Sequence, residues 1–179
     1  MLLDMKSSTS KAEKLGHIQY FKLLKEYYSD LSDPIVNYGG EIYQYVGDEV
    51  VVSWKYNDGG SNNNSLNCFF EMKALLQNQS KKYESVFGVI PSFKAGIHLG
   101  KVTTGEIGAI KKDIIFSGDV LNTTARIQGL CNKYKVDLLT SEKLIMALDI
   151  SKEFELKELE KVELRGRNEK IKLFAIMKP

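Results

Sequence analysis

Cysteine is scarce: only Cys68 and Cys131 occur in 179 residues, with no CxxC pair and no histidine cluster beside either. That leaves no disulfide framework and reads as two buried thiols in a reducing compartment. Long apolar runs are also missing, since no stretch approaches the ~20 residues that span a bilayer. No signal peptide is visible. Net charge is close to absent, at +2. It makes no electrostatic case for wrapping nucleic acid, and no nucleic-acid partner is expected. Repeats and domain linkers are lacking too. MLLDM looks like the end of a strand with no capping or turn residue before it. We therefore expect a piece cut from a longer chain, cytoplasmic, with membrane attachment only through an upstream segment.

What is present suits one soluble domain over residues 1–179, with 43% apolar and 27% charged residues. Residues 2–5 read as a short strand. Ser7-Ser8-Thr9-Ser10 is rich in helix N-caps. It opens a helix to about Ser29, with Leu15, Ile18, Phe21, Leu24 and Tyr28 at helical spacing. A second helical piece, 31–38, ends at Gly39-Gly40. Residues 42–46 and 50–54 form a hairpin, and 57–64 a polar, mobile loop. Residues 65–83 are helical. Residues 93–99 and 102–107 read as a hairpin pair, and 113–117 as a short extended piece. Residues 119–134 form a helix and 136–139 a strand. Ser141 caps a short helix to Leu148, and 154–164 with 170–177 close the chain as a hairpin. The order β-α-β-β-α-β with an appended α/β part predicts an α+β, ferredoxin-like (split βαβ) palm-type sheet with helices on one face.

Two carboxylates stand out by position. Asp4 ends the first strand, and Asp48 sits at the Gly-Asp turn of YQYVGDEVVVSW. A split βαβ sheet brings those two places close together. Hard divalent cations prefer such carboxylate and carbonyl oxygens. An aspartate alone is more often a turn or cap residue; the pairing is what points to metal. Lys6, Ser7, Ser8 and Thr9 then lead into a helix N-terminus, whose amides and dipole can cradle phosphate. The natural joint reading is a metal-plus-phosphate site.

In order, LLDMKSST, YQYVGDEVVVSW, FKAGIHLGKVTTGEIG and SGDVLNTTARIQ resemble the successive motifs of class III nucleotidyl cyclase catalytic domains. The likeness runs from Met1 to about Thr140, and more weakly onward through LRGR. It implies a homodimer with active sites at the subunit interface. It further implies two magnesium or manganese ions per site, held by Asp4 and Asp48 with the carbonyl of Met5. The activity implied is conversion of ATP to 3′,5′-cyclic AMP and pyrophosphate. By the same likeness, Asn122 and Arg126 orient the ribose and stabilise the transition state, serving the partner subunit's metals. Their spacing of four puts them on one helix face, and an arginine offers a planar charged fork to phosphorus. Arg165 or Arg167 matches a phosphate-contacting lysine; a basic turn between edge strands is the plainer alternative.

The purine-reading positions depart from the family pattern. Where lysine or glutamate is usual there is Gln44, and where Asp, Thr or a small residue is usual there is Ile115. Gln44 can donate or accept, while Ile115 offers only shape and desolvation. GTP therefore stays open as the substrate, and so does a non-catalytic dimerisation or nucleotide-sensing module. VGDEV also echoes the turn of diguanylate cyclases, but Asn122 and Arg126 have no place there. His98 in its glycine-rich strand reads as structural, His17 as exposed and Trp54 as core.

Overall fold

The structure, a computed structural model, describes residues 1–110, 112–150, 153–163 and 170–178. In chain order, β1 (Leu2–Met5) leads into α1 (Ser8–Asn37), and β2 (Glu41–Val46) with β3 (Glu49–Ser53) forms a hairpin. Three helices follow: α2 (Tyr56–Gly60), α3 (Asn64–Asn78) and α4 (Ser80–Phe87). Next come β4 (Phe93–Ile97), β5 (Thr103–Ile107), β6 (Asp113–Ser117), α5 (Asp119–Gly129) and α6 (Cys131–Tyr134). The chain closes with β7 (Leu138–Ser141), α7 (Glu142–Ile145), β8 (Glu155–Glu163) and β9 (Lys170–Met177).

A seven-stranded sheet runs β2-β3-β1-β4-β7-β9-β8. Its pairs are antiparallel except β4 with β7. The mixed α+β class and the closing hairpin follow the sequence expectation. Strand alternation divides the two faces. Leu3 and Met5 of β1 join one core with Leu23, Tyr27 and Leu31 of α1, Phe69 and Met72 of α3, and Tyr83 of α4. On the opposite face a second core gathers Ile127 and Cys131 under α5 and α6, against Leu139, Leu173 and Ala175. The expectation of helices on one face therefore holds for α1, α3 and α4, and α5 and α6 correct it. The reason is visible at Gly96: a Cβ there would meet Gln128 N and Thr124 O of α5, each at 2.7 Å. The glycine lets that helix lie directly on the strand.

Several boundaries differ from the sequence reading. The first helix is not divided near residue 30 but at Gly16, whose φ of +69° and ψ of 162° leave the helical region. Its buried stripe is Leu23, Tyr27, Leu31 and Ile35, whereas Ile18 and Phe21 are 70% exposed. Residues 57–64 are not an open loop. They form α2 and a 3-10 turn, tied by Asn63 Nδ2 to Asp149 O at 2.6 Å and Asn64 Nδ2 to Asp58 O at 3.1 Å. Short amide side chains here bond main chain and so order a polar segment. The predicted 65–83 helix breaks at Gln79, and the 119–134 helix breaks at Leu130. β4 does not pair with β5; β5 pairs with β6 as a separate two-stranded arm. Neither Ser7 nor Ser141 makes a side-chain cap. Ser141 Oγ instead meets His98 Nδ1 at 2.7 Å, the structural role expected of that histidine.

Gly96→Ala should lower stability by about 1–3 kcal/mol, because a methyl placed against helix backbone cannot be relieved by a side-chain shift. Thermal melts followed by circular dichroism measure this. An unchanged midpoint would mean that α5 does not pack on β4 as described.

Candidate active site

β1 sits beside β3 in the sheet, with Asp4 opposite Glu49. The β2–β3 turn folds over its end, and the Met5 amide donates to the Asp48 carbonyl at 3.3 Å. Gly47 at the tip has φ +62°, as a tight hairpin turn requires of its first residue. From α1 the Tyr28 hydroxyl donates towards the carbonyls of Gly47 at 2.9 Å and Glu49 at 3.2 Å, fastening the turn from the side. Two segments more than forty residues apart in sequence thus bring Asp4 and Asp48 to one place.

Charge there is concentrated. Burial raises the Glu49 carboxyl above its ordinary range, and the Asp4 and Asp48 carboxylates add to the shift, with Lys94 opposing it. Tyr27, buried beneath, has its phenol pushed well up by burial first, and by both aspartates among its charged neighbours. Its hydroxyl finds no hydrogen-bond partner among the described residues. Asp4 Oδ2 accepts from Gln128 Nε2 at 2.9 Å and pairs with Lys94 Nζ at 3.1 Å. Among the described residues, no three His, Cys, Asp or Glu side chains gather as a metal-holding group. The side-chain donors available are the two carboxylates. Such oxygens, with a main-chain carbonyl beside them, suit magnesium or manganese and do not suit a soft metal.

The expected phosphate cradle is the β1–α1 junction. Ser7 adopts a left-handed φ of 54° and Lys11 N bonds back to Ser7 O at 3.0 Å, so Ser8 and Thr9 lie in the first helical turn, where amides are unpaired within the helix. The Lys6 ammonium is committed elsewhere: it pairs with Asp137, which Lys73 shares at 2.6 Å. Arg165 and Arg167 lie outside the described residues.

The residues next to Gln44 and Ile115 are in contact. The Tyr43 ring stacks on Phe116 at 3.9 Å and 18°, and the Phe116 amide donates to the Tyr43 hydroxyl at 2.9 Å. A register shift in β2 between Ile42 and Gln44 falls on Tyr43, and such bulges re-aim a side chain. The contact ties the β5–β6 arm to the main sheet. Behind it lies a cavity of about 130 Å³, bordered by Leu2, Val51, Phe116, Val120 and Leu121 among others.

On α5, Asn122 is exposed and Arg126 half-buried. Arg126 and Gln128 are two residues apart, roughly 200° around a helix. Gln128 faces the sheet and holds Asp4. Asn122 and Arg126 are therefore turned away from the aspartates of their own chain. Lys94, Gln128 and Tyr43 were not singled out in the sequence. Lys94 carried the clearest signal, as the one charge in the buried-strand pattern of Phe93–Ile97.

Comparisons with known proteins place the chain in a family. The family model described as the adenylate and guanylate cyclase catalytic domain matches residues 1–178. Adenylate cyclase 2 of Rhizobium meliloti (strain 1021) is 30% identical over 98% of the chain and 48% of its own length. An adenylate cyclase of Anabaena cylindrica is 27% identical over 98% of the chain and 36% of its own length. The chain thus spans half or less of these relatives. The solved guanylyl cyclase Cya2 superposes with a TM-score of 0.83 at 21% identity, over 98% of this chain and 88% of that one. A bacterial light-regulated adenylyl cyclase gives 0.83 at 20%, over 98% and 50%. At such identities the two structures speak for the fold. The family match spans nearly the whole chain, and the chain belongs to the adenylate and guanylate cyclase catalytic domain family.

Proposed function

We propose that this domain is an adenylate cyclase that makes 3′,5′-cyclic AMP and pyrophosphate from ATP, acting as a homodimer with two shared sites. The observation that carries the reading is the joining of Asp4 and Asp48 through the Met5–Asp48 main-chain bond. The carboxylates of Asp4 and Asp48, with the Met5 carbonyl, would hold two magnesium or manganese ions. Bound ions of this kind acidify a ribose 3′-hydroxyl and offset negative charge on the triphosphate.

The chain's own residues account for the remaining steps. The 3′-oxygen attacks the α-phosphorus in line, a new P–O bond forms, and the bond to pyrophosphate breaks. Arg126 meets the charge that develops on phosphorus with a fixed cationic fork. Asn122, one turn earlier, hydrogen-bonds the ribose. First-turn amides of α1 at Ser8 and Thr9 receive phosphate oxygens, with Arg165 or Arg167 as a further phosphate contact. Gln44 addresses the purine edge, Ile115 shapes its pocket, and the apolar cavity behind Phe116 gives the base a surface to lie on. ATP is favoured over GTP because the curated relatives described above are named adenylate cyclases.

Two observations support the dimer. Asn122 and Arg126 face away from Asp4 of their own chain, so a complete set needs a second copy. Large apolar side chains are exposed at Ile18, Phe21, Tyr45, Val46, Ile107 and Ile114, and a second copy would give such side chains something to pack against. Among the described residues no helix is long and apolar enough to cross a membrane.

Purified domain supplied with manganese and either nucleotide should yield cyclic AMP from ATP, identified by mass spectrometry. A cyclic GMP product, a two-nucleotide product or no product would each overturn the assignment. Asp48→Ala should reduce turnover by at least about 100-fold, the scale on which ligand loss acts, with the fold and dimer intact. Retained activity in that variant would remove Asp48 from the site.

Mixing Asp4→Ala chains with Arg126→Ala chains should recover activity that neither has alone. Half of a random mixture is heterodimer and each heterodimer holds one whole site, so about a quarter of the wild-type rate is expected for a two-fold dimer. Proven heterodimers without recovery would exclude shared sites.

A further inference from the structure

Asp4 Oδ2 has two partners, and they differ in kind. Gln128 reaches it from α5 at 2.9 Å as a neutral donor. Lys94 reaches it from β4 at 3.1 Å as a full positive charge. Lys94 and Asp4 are register partners on neighbouring strands. Their side chains are only 13% and 19% exposed, and Gln128 is 5% exposed. Phe93 and Ala95, on either side of Lys94, are buried in the core. The strand therefore fixes where the lysine starts, leaving only its stem free to turn.

Three carboxylates in a partly desolvated corner repel one another, and a lone buried charge is costly. The Lys94 ammonium offsets that repulsion when no other cation is present. A hard divalent ion would seek the same Asp4 oxygens, and an ammonium and a divalent ion on one carboxylate oppose each other at close range. Lys94 already has a second acceptor, Asn132 Oδ1 at 3.3 Å. Asn132 borders an open cavity of about 440 Å³ that also takes in Lys6, Lys135 and Asp137, so the side chain has room on that side.

We propose that Lys94 is the resident counter-cation of Asp4, displaced towards Asn132 when a divalent ion arrives, while Gln128 holds the carboxylate in place throughout. This rests on the metal reading given above for Asp4. Lys94 is a competitor and Gln128 a positioning residue, so removing them should move metal affinity in opposite directions. A merely structural pair would move it the same way or not at all.

The test is binding of Mn²⁺ to the nucleotide-free chain, read by electron paramagnetic resonance. Lys94→Met keeps the stem and should bind roughly two- to fivefold more tightly, the range for losing a close ionic competitor. Lys94→Arg keeps the charge and should match wild type. Gln128→Met should bind roughly tenfold more weakly, as when an orienting hydrogen bond is lost. If Asp4→Asn binds Mn²⁺ as well as wild type, the metal reading itself fails. If Asp4→Asn loses binding but Lys94→Met does not tighten it, only the exchange fails. Should Lys94→Met melt, the wild-type chain decides by lysine ammonium resonances during Mg²⁺ addition. A signal absent from Lys94→Arg that shifts as the ion saturates upholds the exchange, and one that stays fixed overturns it.

Discussion

The site depends on one main-chain contact, the Met5 amide on the Asp48 carbonyl. It joins the end of a central strand to the tip of a hairpin, and neither segment alone gathers two carboxylates. β1 supplies the fixed partner because both its edges are paired, with β3 and with β4. The hairpin supplies the movable one, and two devices remove its freedom. Gly47 takes the positive φ that closes the turn, and Tyr28 reaches from α1 to bond both carbonyls around it. Placement of the aspartates is thus set by the sheet and by α1.

Placing negative groups so close has a cost, and the surroundings show where it is carried. Glu49 shifts towards its neutral form under burial and its carboxylate neighbours. Tyr27 lies below with a buried hydroxyl that has no partner among the described residues. Lys94 and Gln128 converge on a single oxygen of Asp4. These are compensations for charge that the fold retains instead of replacing with apolar packing. Apolar groups of the same volume would often be no less stable than buried charge. Such a corner is what the proposed cation site would require.

Much of this was legible in the sequence. Asp4 and Asp48 could be placed because strand and turn chemistry are local: alternation fixes β1, and Gly-Asp between two β-rich runs fixes the hairpin. Asn122 and Arg126 share a helix face by spacing alone. What escaped depends on contacts distant in sequence. The halving of α1 at Gly16 was missed because a glycine after good helix formers only lowers a helix score, and packing decides whether it breaks. Pairing of β4 with β1 and β7, not with β5, is a choice among strands that alternation does not rank. Tyr43 owes its place to a bulge, and Lys94 to strand register. The Tyr43 ring is then held by Phe116 and the Lys94 stem is placed beside Asp4, both more than seventy residues away.

The geometry of α5 ties these points together. One helix lies on the sheet where Gly96 admits it, and its two faces have different duties. Towards the sheet, Thr124 and Gln128 are buried and Gln128 grips Asp4. Away from it, Asn122 is exposed and Arg126 half-buried, on the side of α5 turned from Asp4. If those two residues act on a nucleotide held by aspartates, the aspartates must belong to another copy. In the proposed dimer the helix would touch two sites, one through its inner face and one through its outer face, and a rotation of α5 that loosened Gln128 from Asp4 would also re-aim Arg126 in the neighbouring site.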